Sequence, residues 1–260
     1  MDSNELGIPG FDAFVHLAHN TEPSSQTRSK APIGLRKFET SPLWKYLILE
    51  SMKFLLIGAT GPTGREIVRQ GLAQGHEISA LVRDASEMDG ELPNLRPVEG
   101  NILNQTDVDA AMAGQEAVIC SLGTGVTFKH VTLFSDGTRH LLNGMSKHSI
   151  RRIVCITGIG AGDSRGHGGF FYDHLVEPTL LHSIYEDKDR QEEMLRQSDR
   201  DWIIVRPGML TNGLATGHYR TLLDLAGITA GKIARADVAE FVLKQLTSNE
   251  FLRKAPLLTY

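Results

Sequence analysis

Cysteine and long apolar runs are scarce in this 260-residue sequence. The two cysteines, Cys120 and Cys155, lie in apolar stretches typical of buried strands, which favours packed thiols over a structural disulfide. No stretch approaches the roughly 18 apolar residues that a membrane-spanning helix needs. The N-terminus, with Asp2 and Glu5, lacks the basic and then apolar layout of a secretory signal. We therefore expect a cytoplasmic protein without a membrane partner.

An excess of charge of one sign is also missing. The formal net charge is -4 and no block of Lys or Arg occurs, so the basic surface expected of a nucleic-acid-binding protein is lacking. His167, His174 and His182 have no metal-ligand spacing, and the sequence predicts no metal site. We expect a small-molecule substrate as partner, no nucleic acid, and a monomer or homodimer.

The first 51 residues differ from the rest in composition. They are rich in Ser, Thr, Pro and Asn, and their apolar residues sustain neither strand nor helix periodicity. The pattern predicts a poorly structured N-terminal appendage over residues 1–51. With 41% hydrophobic residues overall, the chain can bury one full core, which we place in a single domain over residues 52–260.

From Lys53 onward, apolar strand patterns alternate with amphipathic helix patterns. This alternation predicts a doubly wound parallel sheet, a Rossmann fold with three α/β/α layers. The predicted strands are Phe54–Ile57, Glu77–Arg83, Leu95–Val98, Ala117–Leu122, Arg152–Thr157 and Trp202–Val205.

A glycine-rich turn joins the first predicted strand to the first helix. Gly58 permits a tight turn, Gly61 lets a ligand approach the backbone, and Gly64 lets the helix pack on the sheet. Backbone N–H groups and the positive helix end at such a turn bind a pyrophosphate, so the pattern favours a dinucleotide over an ordinary glycine-rich turn. The binding candidates are Gly58, Thr60, Gly61, Pro62, Thr63 and Gly64.

The end of the second predicted strand indicates which dinucleotide binds. An acid there would accept a hydrogen bond from the 2′-hydroxyl of NAD, but this strand ends in Leu81-Val82-Arg83. The guanidinium of Arg83 can pair with the 2′-phosphate of NADP. We therefore predict NADPH. Adjacent Asp84 keeps NAD as the alternative, and a solvated surface arginine is the other interpretation.

Five motifs are spread over Met52 to Tyr260, namely Gly58–Gly61 with Thr63-Gly64, Leu81–Asp84, Gly100-Asn101, Ser121–Thr124 and Arg206–Gly208. Together they resemble the motifs of the atypical short-chain dehydrogenases/reductases, as found in biliverdin reductase B (flavin reductase) and NmrA-like proteins.

This resemblance implies that Asn101 and Ile102 border the adenine and that Pro207 lies beside the nicotinamide. It also implies that residues 122–124 line the ribose and diphosphate. All follow predicted strand ends, where ligands bind in open α/β sheets. The cofactor-binding candidates added are Gly100, Asn101, Ile102, Ser121, Leu122, Gly123, Thr124 and Pro207.

The catalytic pattern of that family is incomplete here. Most members use a Ser, a Tyr, and a Lys four residues after the Tyr. The Lys lowers the pKa of the tyrosine phenol, which protonates the carbonyl oxygen of the substrate. Here Lys188 follows Tyr185 by three residues, and Gly158 stands where the family often has its serine, next to Thr157. The catalytic candidates are Lys188, Tyr185 and Thr157, and a surface role for Tyr185 is the equal alternative.

A glycine-rich segment, residues 158–174, contains Phe170, Phe171 and Tyr172. It is typical of a flap with an aromatic tip that closes over a planar substrate, or of a flexible surface loop.

These features predict an NADPH-dependent reductase that transfers hydride to a small planar acceptor of flavin, quinone or carbonyl type. The alternative is a non-catalytic NmrA-like dinucleotide sensor, because fold alone does not separate the two. Sugar epimerisation would need a stronger acid-base pair than Tyr185 and Lys188.

Overall fold

The computed structural model describes residues 51–88, 92–127, 129–170 and 172–260. The predicted appendage, apart from Ser51, lies outside the described residues and stays a prediction. The described strands are β1 (Lys53–Ile57), β2 (Glu77–Val82), β3 (Leu95–Glu99), β4 (Ala117–Cys120), β5 (Arg152–Ile156), β6 (Asp201–Pro207), β7 (Met209–Thr211), β8 (Arg220–Leu222), β9 (Lys232–Ala234) and β10 (Leu257–Thr259).

Five α-helices are described between and after these strands, with three short segments of other helix types. The helices are α1 (Pro62–Ala73), α2 (Gln105–Met112), α3 (Leu133–Lys147), α4 (His182–Gln197) and α5 (Arg235–Lys244). The short segments are the 3₁₀ turns Ala85–Glu87 and Gly162–Ser164 and the π-helical segment Tyr172–Leu181.

The main sheet has eight strands in the order β3-β2-β1-β4-β5-β6-β10-β8, and β7 pairs with β9 separately. Seven of the eight strands run parallel, and β8 is antiparallel to β10. The order of the first six is that of a Rossmann fold, so the predicted doubly wound sheet is confirmed. The antiparallel edge strand β8 was not predicted.

Strand β1 shows how the sequence places helices on both faces of the sheet. Alternate residues of a strand point to opposite faces, and both sets are buried here. Phe54 and Leu56 join an apolar cluster with α1 and α5. Leu55 and Ile57 join a second cluster with α2, α3 and α4. The continuous apolar run therefore produces three layers.

The two cysteines lie on neighbouring strands inside the second of these clusters. Cys120 of β4 is the register partner of Cys155 of β5, and both thiols are free and fully buried. The expectation of packed thiols without a disulfide is confirmed.

The segment 158–174 differs from the predicted flap in one respect. Phe170 is 81% exposed, but Tyr172 begins the π-helical segment and donates a hydrogen bond from its hydroxyl to that of Tyr185. Tyr172 is therefore not part of an exposed aromatic tip, because its phenol is used in packing. Phe171 lies outside the described residues. The main-chain oxygen of His167 accepts from Ala230 N at 2.8 Å, which fixes the middle of the segment.

Among the described helices, none is long and apolar enough to cross a membrane. The described side chains also contain no group of three or more His, Cys, Asp or Glu residues placed to hold a metal ion.

Candidate dinucleotide site

A cleft of about 900 Å³ opens at the carboxyl edge of the sheet, where the chain turns away from β1 and β4 in opposite directions. In doubly wound sheets this is the position of the ligand. The cleft brings together all but one of the cofactor-binding residues predicted from sequence, namely Gly58, Thr60, Gly61, Pro62, Thr63, Gly64, Arg83, Gly100, Asn101, Ile102, Ser121, Leu122, Gly123 and Thr124.

Two glycines of the first turn are required by the packing of the turn itself. Gly58 has a φ of +83°, and a Cβ there would lie 2.2 Å from the main-chain oxygen of Ser121. A Cβ on Gly64 would lie 2.0 Å from the main-chain oxygen of Gly58. No side chain fits at either position, so β1, the turn and α1 approach one another closely only with glycine there.

Gly61 differs, because a Cβ there would make an ordinary 3.4 Å contact with Gly58 O. The protein fold alone does not demand a glycine at this position. Gly61 also precedes α1 without forming a side-chain cap, and the first turn of α1, all of it described, contains no acidic residue. The N–H groups of the helix end are therefore left for a bound anion. A diphosphate fits this cradle.

The charges on the cleft wall also fit an anionic ligand. Arg83, Lys188 and Arg235 line it, and no carboxylate does so among the described lining residues. The carboxylate of Asp84 instead accepts hydrogen bonds from Ser86 N at 2.8 Å and Ser86 Oγ at 2.6 Å, and these bonds lower its pKa. Asp84 is therefore occupied in a local turn.

Lys188 lies on α4 at the inner wall of the cleft. Its Nζ donates to the main-chain oxygen of Thr157 at 2.6 Å and lies 4.6 Å from the ring centroid of Phe134. Burial lowers the pKa of this lysine. The preceding residue, Asp187, accepts from Phe134 N at 2.8 Å and from Ser135 Oγ at 2.5 Å. These bonds join α4 to the start of α3 and fix the position of Lys188.

Tyr185, in contrast, does not line the cleft. Its hydroxyl accepts from the Tyr172 hydroxyl at 2.7 Å, and burial raises the pKa of Tyr185 well above its usual range. Gly158 has a φ of +149°, and a Cβ on it would lie 3.1 Å from the Tyr185 hydroxyl oxygen. The phenol thus packs against the position where the family often has serine. The catalytic assignment of Tyr185 stays a prediction.

Thr157 lines the cleft at the end of β5, but its hydroxyl hydrogen is directed inward. Thr157 Oγ1 donates to Glu192 Oε1 at 2.7 Å. Glu192 is almost fully buried and forms two hydrogen bonds with Arg206, from Nε at 3.0 Å and from Nη2 at 2.5 Å. Asp163 lies 2.6 Å from the same guanidinium. The network joins the ends of β5 and β6 to α4 and occupies the donor of Thr157.

Sequence reasoning missed this network, although one signal pointed to it. Arg206 directly follows the apolar run Trp202–Val205 of β6, and an arginine buried there must be paired. Sequence reasoning also missed Leu210 and Arg235, which line the cleft from β7 and from the start of α5. Pro207 ends β6 and does not line the cleft, and its assignment beside the nicotinamide stays a prediction.

The sheet order and the glycine cradle define a Rossmann-type dinucleotide-binding protein. The chain belongs to the NAD(P)H-binding family, whose sequence profile matches residues 58–249.

Relatives and solved structures are similar over most of the chain. An uncharacterized chloroplastic protein of Arabidopsis thaliana is 28% identical over 214 residues, which cover 78% of this chain and 74% of that protein. The solved structure of ChuY, an anaerobillin reductase from Escherichia coli O157:H7, has a TM-score of 0.68 and 22% identity, covering 80% of this chain and 96% of that one. A short-chain dehydrogenase/reductase of Veillonella parvula in complex with NADP has a TM-score of 0.66 and 17% identity, covering 80% and 94%.

Proposed function

We propose that this chain is an NADPH-dependent reductase that transfers hydride to a small planar acceptor of flavin, quinone or carbonyl type. The observation that carries the proposal is the cleft at the carboxyl edge of the sheet, with a glycine cradle, three cations and no carboxylate among its described lining residues. The cations and the glycine cradle suit a ligand with several negative charges. The concave shape of the cleft suits a ligand ring that must lie in a fixed orientation.

Arg83 supports NADPH over NADH. It directly follows β2, lines the cleft and is exposed enough to reach a 2′-phosphate. Asp84, the residue that kept NAD as an alternative, bonds to Ser86 instead. The Veillonella parvula structure, which has the same fold, was solved with NADP. A guanidinium and a phosphate form a strong charge-assisted pair, and that pair is the basis of the preference.

In this proposal, bound NADPH supplies the hydride, and the protein supplies orientation and exclusion of water. Lys188 holds the nicotinamide ribose, since its Nζ is fixed at the cleft wall by Thr157 O. Tyr185 is a weak proton donor because its pKa is raised and its hydroxyl is bonded to Tyr172. Acceptors that need no proton from the enzyme, such as flavins and quinones, fit this site better than simple carbonyl compounds. The reductase activity named for ChuY supports a reductase on this fold.

The test is NADPH oxidation, followed by absorbance, against a panel of flavins, quinones and aldehydes. We expect turnover with flavins or quinones and little with aldehydes. Faster turnover with aldehydes than with flavins would contradict the proposed acceptor class. The control is the same panel with NADH, for which Arg83 predicts a higher KM.

A non-catalytic dinucleotide sensor is the second candidate, and the packing of Tyr185 favours it. The hydroxyl that usually donates the proton lies outside the cleft lining and is paired with Tyr172. A protein that binds NADPH tightly but oxidises it with no member of the panel supports the sensor and rejects the reductase.

The compartment and assembly belong to the proposal as well. We propose a cytoplasmic monomer or homodimer whose partner is a small-molecule substrate. Cell fractionation and sedimentation measure these properties, and recovery in an organelle, as the name of the Arabidopsis relative indicates for that protein, would correct the compartment.

A further inference from the structure

One cation of the cleft, Arg235, is assigned no contact with the cofactor in the proposed reductase. Arg235 is the first residue of α5, is half-buried and lines the cleft together with Leu210 of β7. Its Nη1 donates to Asn212 Oδ1 at 2.7 Å. In the described part of the chain, no carboxylate forms an ion pair with it.

The position of Arg235 is unfavourable for a cation in the free protein. The N-terminus of a helix carries the positive end of the helix dipole, which repels a guanidinium in the first turn. The same turn contains the carboxylate of Asp237, but this accepts hydrogen bonds from Thr216, Gly217 and Tyr260 and forms no ion pair with Arg235. Half-burial removes part of its hydration, and the neutral Asn212 amide compensates only part of that loss. An anion in the cleft would balance both effects.

Two of the three cleft cations already have partners in the proposed function. Arg83 lies at the end of β2, where the adenosine phosphate is expected, and Lys188 lies near the nicotinamide ribose. Arg235 lies elsewhere on the cleft wall, because it directly follows β9 at the carboxyl end of the paired strands β7 and β9. On the same wall of the cleft, Leu210 of β7 supplies an apolar side chain.

We propose that Arg235 binds an acidic group, a carboxylate or phosphate, on the hydride acceptor. The inference rests on the proposed function and narrows its substrate class to planar acceptors that carry an anionic side group beside an apolar ring. Leu210 contacts the apolar part, and Asn212 holds the guanidinium toward the cleft.

The experiment uses two flavins with the same ring system. FMN carries a phosphate and riboflavin does not. Quenching of flavin fluorescence, with NADP⁺ present, measures the affinity of the protein for each. We expect wild-type protein to bind FMN tighter than riboflavin by about tenfold or more, as a charge-assisted hydrogen bond provides. Arg235→Leu should remove this preference by weakening FMN alone, and Arg235→Lys should retain part of it.

The matched control is Arg69→Leu, because Arg69 is an exposed arginine of α1 that pairs with Glu66 at 2.8 Å and does not line the cleft. It should leave the affinities for both flavins unchanged. NADPH also carries phosphate groups that Arg235 could bind. Titration of each variant with NADPH therefore shows whether Arg235 binds the cofactor or the acceptor.

Three results would overturn the inference. One is a wild-type protein without FMN preference, including one that binds neither flavin. Another is an Arg235→Leu variant that weakens both flavins equally. The third is a variant that weakens NADPH and keeps the FMN preference, which assigns Arg235 to the cofactor. If FMN binds with the expected preference but neither FMN nor any other member of the acceptor panel is reduced, the reductase proposal fails while the role of Arg235 in binding an acidic group stands.

Discussion

Arg83 is the residue whose side chain we propose distinguishes the two nicotinamide cofactors. Replacing it by Asp removes the partner of a 2′-phosphate and adds a like charge, so Arg83→Asp should weaken NADPH by about 1–3 kcal/mol. NADH should be much less affected, because it has only a hydroxyl there. Fluorescence titration with both nucleotides measures the difference. Equal wild-type affinities for NADPH and NADH would contradict the prediction.

Tyr185 and Lys188 should differ in the kinetic constant that they control. Tyr185→Phe loses a hydroxyl that is bonded to Tyr172 and has a raised pKa, so flavin reduction should stay within about tenfold of wild type, a barrier change below roughly 1.4 kcal/mol. Lys188→Met keeps the packing against Phe134 and removes the charge, so it should mainly raise the KM for NADPH.

Steady-state kinetics of both variants with NADPH and a free flavin give the answer. General acid catalysis contributes about 10²- to 10⁴-fold, so a loss of kcat of that size in Tyr185→Phe would restore the usual tyrosine mechanism. An unchanged KM for NADPH in Lys188→Met would show that Lys188 does not contribute to cofactor binding.

At the scale of the element, the turn between β1 and α1 contains two glycines with different proposed roles. Gly64 is required by the packing of the turn, and we propose that Gly61 leaves room for the diphosphate. A Cβ on Gly64 meets the main chain of Gly58 at 2.0 Å, so Gly64→Ala should lower the free energy of unfolding by about 2 kcal/mol or more. Gly61→Ala, with only a 3.4 Å contact, should change stability little but weaken NADPH binding, since its methyl group occupies the approach of the diphosphate.

Urea unfolding and NADPH titration of the two variants form one matched experiment. If Gly61→Ala unfolds as easily as Gly64→Ala, the two glycines share a structural role and the diphosphate cradle is misassigned. Normal NADPH affinity in a stable Gly61→Ala variant would have the same consequence for the cradle.

Long apolar elements could be predicted from the sequence, and short ones could not. Strands β1, β2 and β4–β6 consist mostly of continuous apolar runs and were predicted within two residues at each end. Strands β7 to β10 have three residues each, too few to show a period, and their pairing depends on distant partners. Leu210 lies in β7 and Arg235 directly follows β9, and for that reason this wall of the cleft was missed.

The site residues divide in the same way. The glycines and Arg83 follow directly from their positions at strand ends, because the local pattern decides where they lie. The packing of Tyr185 does not, since its hydroxyl meets Tyr172, 13 residues earlier, only after the chain folds. Glu192 and Arg206 likewise lie 14 residues apart and pair through the contact of α4 with β6.

At the scale of the whole molecule, the described residues of both apolar clusters lie between Phe54 and Leu258. The cleft is lined by residues 57–235. The family profile covers residues 58–249. A folding unit needs its own core and little else, so residues 52–260 should suffice for folding and for cofactor binding.

A chain that starts at Met52 should therefore unfold cooperatively, with a free energy of unfolding within about 1 kcal/mol of the full chain and the same NADPH affinity. Met52 is retained because its N–H donates to His76 Nδ1 at 3.1 Å. Circular dichroism during urea unfolding measures the free energy of unfolding of both chains, and titration with NADPH measures their affinities. The control starts at Leu56 and lacks the buried Phe54 and Leu55, so it should not fold, because the central strand loses its apolar contacts on both faces. A Met52 chain that is insoluble, or that folds without binding NADPH, would show that residues 1–51 belong to the core or to the site.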